Sequence, residues 1–361
     1  MPKSGPTPMM RQYLAFKKKH ENSLLLFRMG DFYELFYEDA KVAARELGIA
    51  LTSREKGEDA VPMAGFPCHS ADNYIKRLIE AGHRVAVCEQ VEDPAEASGL
   101  VDRDVTRVIT PGTLTEENIL DQRANNFLAA VRESRNGFGL AWVDLSTGSF
   151  EVEEVERESL GDSLRRISPA ECLLPEAETP EEDSHPAAQE LDDRCMITRR
   201  PPWEFARDEG QRRLNEHFGT ASLDGFGLGD LGPALGAAGA VLSYLEDTQR
   251  QELAHINRIA ASRSSDHLVL DRTTQRSLEL VDTMRGAETE GSLLSVLDES
   301  ITPLGARMLR RWILTPLKDV EAIEKRLDAV EELTAGSHLR EELQDHLGNV
   351  YDIERLSTKI A

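Results

Sequence analysis

Apolar positions along this chain fall into three successive regimes. In the first, short apolar runs alternate with amphipathic stretches. PMMRQYLAFKKK, residues 8–19, puts Met9 or Met10, Tyr13, Leu14 and Phe16 on one stripe and reads as a short helix. Leu24-Leu25-Leu26-Phe27 is brief and bulky, as a buried strand would be. Gly30-Asp31 interrupt that run, after which Leu35, Ala40, Ala43 or Ala44 and Leu47 recur at helical spacing. Phe32, Tyr33 and Glu34 are therefore expected at a strand-to-helix junction, with Tyr33 facing the core. IALTS reads as a strand and EKGEDAV as a polar loop, while PMAGFP, with two prolines and a glycine, is expected to be irregular. SADNYIKRLIEAG is a helix capped by Ser70 and stopped by Gly82; RVAVCEQV and DVTRVITPG are strands. This order predicts a small mixed α/β domain ending near Gly112.

The second regime opens at Asn125. NNFLAAVRES and FGLAWVDLSTGSFEVEEV alternate as a meander broken by an Asn136-Gly137 turn signal. A helix (ESLGDSLRRI), a strand (ECLLPE), an acidic surface excursion at 176–190 and helices near 206–217 and 232–248 complete a second α/β domain. In the third regime HLVLDRTTQRSLEL, GSLLSVLDES, TPLGARMLRRWILTPL and DVEAIEKRLDAVEEL are nearly continuous helical patterns, and YDIERLSTKIA still reads as helix where the sequence stops. The expected division is 1–115, 122–250 and 262–361: two α/β domains, then an incomplete all-α one, with joints near Leu114–Arg123 and Gln251–Ser262.

Charge complicates a nucleic-acid reading. Sixty-five acidic against 42 basic residues leave a net charge of −23. A nucleic-acid binder ordinarily reads the other way. Residues 1–120 carry 15 basic and 19 acidic side chains, net −4, so −19 of the −23 lies beyond them. Arginine far outnumbers lysine, and the pattern suits a salt-rich cytosol. The cysteines Cys68, Cys88, Cys172 and Cys195 show no C-x-x-C pairing and no zinc-type spacing, so neither disulfides nor a metal is expected. No long apolar run appears, which predicts a soluble protein without a membrane partner.

GDFYELFYEDA resembles the amino-terminal mismatch-reading domain of the MutS family of DNA mismatch repair proteins. VPMAGFPCHSADNYIKRLIEAG, VAVCEQVEDP, VTRVITPGT, GFGLAWVDLSTG, SYLEDTQR and TPLGARMLRRWILTPL are similar to further family segments in the same order. The resemblance implies a mixed-sheet mismatch-binding domain, a ribonuclease-H-like connector and the start of a helical core. By the family's F-x-E motif, Phe32 would wedge into the duplex at a mispair and Glu34 would bond the mispaired base. Met29, Arg54 and Met63 fall in segments that line the DNA in the family. Lys17, Lys18 and Lys19 form a basic helix end that could meet phosphates or simply complement the helix dipole.

The same resemblance implies double-stranded mispaired DNA as ligand, a homodimer, a MutL-type repair partner at the connector, and a cytoplasmic, nucleoid-associated location. Full-length family members are ATPases that use ATP and Mg. No Gly-Lys dipeptide occurs in this sequence, so their G-x-x-x-x-G-K-[ST] phosphate loop is not among these residues. No catalysis and no cofactor are therefore expected of this chain. Two alternatives stand beside mispair reading: a protein-interaction fragment, and a ribonuclease-H-like nuclease in which Asp144 would be the first metal-binding carboxylate.

Overall fold

A computed structural model describes residues 7–53, 60–92, 101–116, 118–177, 185–249, 253–262, 267–285 and 289–358. It divides into two compact units, Met1–Ile119 with Tyr244–Glu252, and Leu120–Ser243 with Leu253–Ala361.

The first unit is a six-stranded mixed sheet flanked by helices. Its elements are α1 (Pro8–Lys19), β1 (Leu24–Met29), β2 (Phe32–Phe36), α2 (Tyr37–Leu47), β3 (Thr52–Ser53), β4 (Pro62–Pro67), α3 (Ala71–Glu80), β5 (Val85–Gln90) and β6 (Arg103–Ile109). The strand order is β3-β4-β2-β1-β5-β6, and only the β1–β5 pair is parallel. β1 is the spine: Leu24 through Phe27 are all buried. One face packs Leu25, Phe27, Phe36, Ala86, Cys88, Val105 and Val108 against Met10 and Tyr13 of α1. Helix α2 packs on β2 and β4, and α3 on β5.

Four expectations are corrected here. No strand-to-helix turn lies at Phe32–Glu34; these residues are themselves a strand, and the helix starts only at Tyr37. FYELF follows the period of two, burying Tyr33 and Leu35 between neighbours β1 and β4, and sheet pairing overrides the helical spacing. PMAGFP is also a strand, β4. Its prolines sit at its two ends, where a strand tolerates the missing N–H. IALTS contributes only Thr52–Ser53, and Ser70 makes no side-chain cap.

The second unit starts with β7 (Phe127–Ser134), β8 (Gly137–Asp144), β9 (Ser149–Val155), α4 (Leu160–Ile167), β10 (Glu171–Pro175), α5 (Pro186–Glu190), β11 (Met196–Arg200), α6 (Arg207–Phe218), α7 (Pro233–Thr248, whose residues from Tyr244 on belong to the first unit) and β12 (Ala260–Ala261). Its sheet runs β11-β10-β7-β8-β9-β12, an antiparallel β7-β8-β9 meander extended by parallel strands. Residues 178–184 of the acidic excursion lie outside the described residues, and its end forms α5. Then come α8 (Arg272–Ser277), α9 (Leu293–Leu297), α10 (Pro303–Leu314), α11 (Val320–Ala335), α12 (Ser337–Leu347) and α13 (Ile353–Thr358). These helices are shorter and more broken than the near-continuous pattern predicted. Neither α11 nor α12 contains a buried residue.

Candidate nucleic-acid interface

The β1–β2 hairpin turns on two residues, Gly30 and Asp31, and Gly30 takes φ +62°. A left-handed residue at that position lets a two-residue loop match the strand twist. Met29 and Phe32 face each other across the turn, and Phe27 faces Glu34. Phe32, Glu34 and Phe36 therefore share the face on which α1 packs, but only Phe36 is sealed. Phe32, at the tip, is 47% exposed. Glu34 is half-buried beside it.

β4 completes the surface. Pro67, Gly65 and Met63 lie opposite Phe32, Glu34 and Phe36. Gly65 is required there, because a Cβ would stand 2.7 Å from the Tyr33 carbonyl oxygen and 3.3 Å from Glu34 Cγ. Met29 and Met63 are half-buried and pack on the edge of the α1-side core. The site is thus an aromatic ring, a carboxylate and two thioethers on adjacent strands. Arg54 lies outside the described residues.

The lysine cluster separates into two kinds of side chain. Lys17 Nζ donates to Asp39 Oδ1 at 2.8 Å, to the Ser23 carbonyl at 2.7 Å and to the Glu21 carbonyl at 3.1 Å. Asp39 is buried, and its Oδ2 accepts from Leu25 N and from the Tyr13 hydroxyl. Burial, followed by the Asp39 charge, pushes the Tyr13 hydroxyl pKa far up, so it stays a neutral donor. Lys17 is the counter-ion of this buried acid, which leaves Lys18 and Lys19 as the exposed part of the cluster. Nothing in the sequence pattern signalled the Tyr13–Asp39–Lys17 group, whose members lie 22 and 26 residues apart along the chain.

Asp144 is occupied by structure. It is fully buried at the end of β8. Its Oδ1 accepts from Ser146 N at 3.0 Å and Ser146 Oγ at 2.6 Å; its Oδ2 accepts from Asn125 Nδ2 at 2.8 Å and Asn126 N at 3.3 Å. Among the described residues no group of three or more His, Cys, Asp or Glu side chains could hold a metal. This geometry does not assemble the convergent carboxylates that a two-metal nuclease requires.

Comparison with known proteins decides the family. Residues 7–118 match the model of MutS domain I, residues 126–257 that of MutS domain II, and residues 273–361 that of MutS domain III. The chain belongs to the MutS family. DNA mismatch repair protein MutS of Halothermothrix orenii is 45% identical over 98% of this chain and 40% of that protein. The MutS of Syntrophomonas wolfei is 45% identical over 98% of the chain and 42% of its own length, and that of Chlorobium phaeobacteroides 42% identical over 98% and 41%. The chain therefore spans about two fifths of the length of these curated relatives. The hairpin bearing Phe32 and Glu34 lies in MutS domain I, and Asp144 in domain II. The matched regions are MutS domains I to III. No helix among the described residues is long and apolar enough to cross a membrane.

Proposed function

We propose that this chain reads mispaired or looped-out bases in double-stranded DNA, with Phe32 as the wedge and Glu34 as the base acceptor. One observation carries the reading: a phenylalanine stands about half exposed at the tip of a tight hairpin, on the same strand face as a carboxylate. Unstacking a base step costs on the order of a few kcal/mol, and less where pairing is already defective. An inserted ring recovers roughly 1–3 kcal/mol of stacking. The balance is close enough that deformability, rather than base identity, selects the site. Glu34 adds discrimination, because a carboxylate among phosphates is repelled unless a base donor or a proton satisfies it.

Met29 and Met63 would line the duplex beside the wedge, with Arg54, Lys18 and Lys19 as candidate phosphate or groove contacts. The β7-β8-β9 meander extended by parallel β10 and β11 supports a ribonuclease-H-like connector, through which a MutL-type partner would bind. The domains are assigned to 1–115, 122–250 and 262–361. The protein would act as a homodimer, in the cytoplasm on nucleoid DNA, with ATP handled outside these residues. A second reading, a protein-interaction fragment, is favoured by α11 and α12, whose Leu327, Val330, Leu339 and Leu343 are exposed.

Fluorescence anisotropy at low salt with a G·T-mispaired and a fully paired duplex tests the proposal. The wild-type chain should prefer the mispair, and Phe32→Ala should fall to the paired level. Glu34→Ala should raise binding to the paired duplex. A preference that survives Phe32→Ala would overturn the wedge; retention of a protein partner with no duplex bound would favour the second reading.

A further inference from the structure

The hairpin that carries Phe32 and Glu34 is tied down from its other face. Successive strand residues point to opposite sides, so Arg28 and Tyr33, cross-strand partners one step inside the Met29–Phe32 pair, point away from Phe32. Both reach the same carboxylate. Arg28 Nη1 donates to Glu89 Oε2 at 2.7 Å, and the Tyr33 hydroxyl donates to Glu89 Oε1. Glu89 stands on β5, and the strands lie in the order β2-β1-β5. One acid therefore binds all three strands together beneath the hairpin.

The surroundings fix each member of this group. The Tyr33 ring is buried 6.2 Å from Phe66, which stacks on Tyr74 at 4.4 Å. Burial, then the bond to Glu89, raises the Tyr33 hydroxyl pKa and keeps it a donor. The hairpin tip is held as well: Cys68 N donates to the Asp31 carbonyl at 2.8 Å, and Arg28 Nε to the Gly30 carbonyl at 3.3 Å. Arg103 Nε donates to the Arg28 carbonyl at 2.8 Å. The Arg28, Tyr33 and Glu89 side chains lie away from the reading face, and none of them is needed to contact a base, whereas Arg103 lies on the α1 side, over the Phe27 ring.

We propose that Arg28, Tyr33 and Glu89 are positioning residues for mispair reading, a three-strand brace that keeps the hairpin from yielding when Phe32 enters the base stack. This rests on the wedge reading above. A ring pushed between bases meets a restoring force from the stack. A two-stranded ribbon is only marginally stable by itself, and a compliant one would bend before the bases parted. Compliance would penalise mispaired and paired duplexes alike and erase the difference between them. A functional side chain held by a second layer of bonds delivers its binding energy without first ordering itself. Glu89 is also kept tolerable near phosphates, since Arg28 supplies its counter-charge and Tyr33 a neutral donor.

Tyr33→Phe removes the hydroxyl and keeps the ring, so it separates the brace from the core. In the whole chain, amide hydrogen exchange at residues 29–34 should become about tenfold faster, with the amides of α3 unchanged. The preference for a G·T-mispaired over a paired duplex should fall about tenfold, equivalent to about 1.4 kcal/mol. Glu89→Gln, which keeps acceptor oxygen but not charge, should lie between wild type and Tyr33→Phe. Unchanged exchange at the tip, or an unchanged preference in Tyr33→Phe while Phe32→Ala abolishes it, would overturn the brace. A preference surviving Phe32→Ala would instead reject the wedge reading on which the brace depends.

Discussion

β2 and β8 are both interior strands of six-stranded sheets, and each carries a carboxylate, Glu34 at the middle of β2 and Asp144 at the end of β8, yet they use it in opposite ways. All eight residues of β8 are buried. Asp144 at its end receives four hydrogen bonds, and Ser146, which supplies two of them, also accepts from Arg355 Nε of α13 at 3.0 Å. In β2, Tyr33, Leu35 and Phe36 carry the packing, while Phe32 is half exposed and Glu34 half-buried. An acid at the end of a wholly buried strand is a folding element. A half-exposed ring at the open end of a strand adds little to the fold, which is what the proposed wedge role requires.

The sharpest test of that contrast is stability. Asp144→Ala would strand Asn125, Ser146 and the buried Arg355, and breaking such a buried charged network costs on the order of 3–5 kcal/mol. Phe32→Ala, at a largely exposed tip, should change stability by no more than about 0.5 kcal/mol. All three tryptophans, Trp142, Trp203 and Trp312, lie in the second unit. Tryptophan fluorescence in urea should therefore show the Asp144→Ala transition displaced, and circular dichroism should show Phe32→Ala nearly unmoved. Equal losses in the two variants would break the comparison.

A smaller effect is expected at Gly65. In Gly65→Ala the new methyl meets the Tyr33 carbonyl, a backbone atom that cannot swing aside. Overpacking of this kind costs roughly 1–3 kcal/mol, and it should shift Glu34 as well. Thermal unfolding by circular dichroism should register the loss, and mispair preference should drop with it. A Gly65→Ala protein with wild-type stability would mean that β4 is not seated as described.

The contrast also shows what the sequence could and could not reveal. α1, α3, β5, β6 and the β7–β8 meander were legible because each repeats its apolar residues at a single period, and β1 because its apolar run is short and unbroken. β2 was not, because FYELF runs straight into YEDAKVAAREL and the apolar spacing across the join mimics one helix. β4 was hidden by prolines that turn out to sit at its ends. Phe32 and Glu34 were found through the family motif; their shared face became visible only with the strand register. The roles of Asp39, Glu89 and Arg355 depend on their side chains' partners, 14 to 234 residues away, which no local pattern encodes.

The mildest prediction concerns pH and the second unit alone. His185, whose ring lies 6.3 Å from Phe138 of β8, has its pKa lowered, chiefly by burial. Its Nδ1 accepts from Ala187 N at 3.2 Å, a bond that imidazolium cannot make. A depressed pKa means that the neutral form belongs to the fold. Its stabilisation is fully present above the unfolded value of 6.5 and is lost as pH falls through the lower folded value. His255 is lowered in the same direction, again chiefly by burial. Urea midpoints read by tryptophan fluorescence should decline between pH 7 and pH 5, and His185→Gln should flatten the slope. An unaltered slope in that variant would remove His185 from the account.

The claim that Phe32 enters the base stack can be observed at the base itself. A duplex carrying 2-aminopurine beside a G·T mispair reports unstacking as a rise in fluorescence. Adding the wild-type chain should raise the signal on the mispaired duplex and leave the paired control unchanged, and Phe32→Ala, at concentrations giving equal occupancy, should abolish the rise. A rise of the same size with Phe32→Ala would show that the bases part without the ring, and the wedge would be wrong.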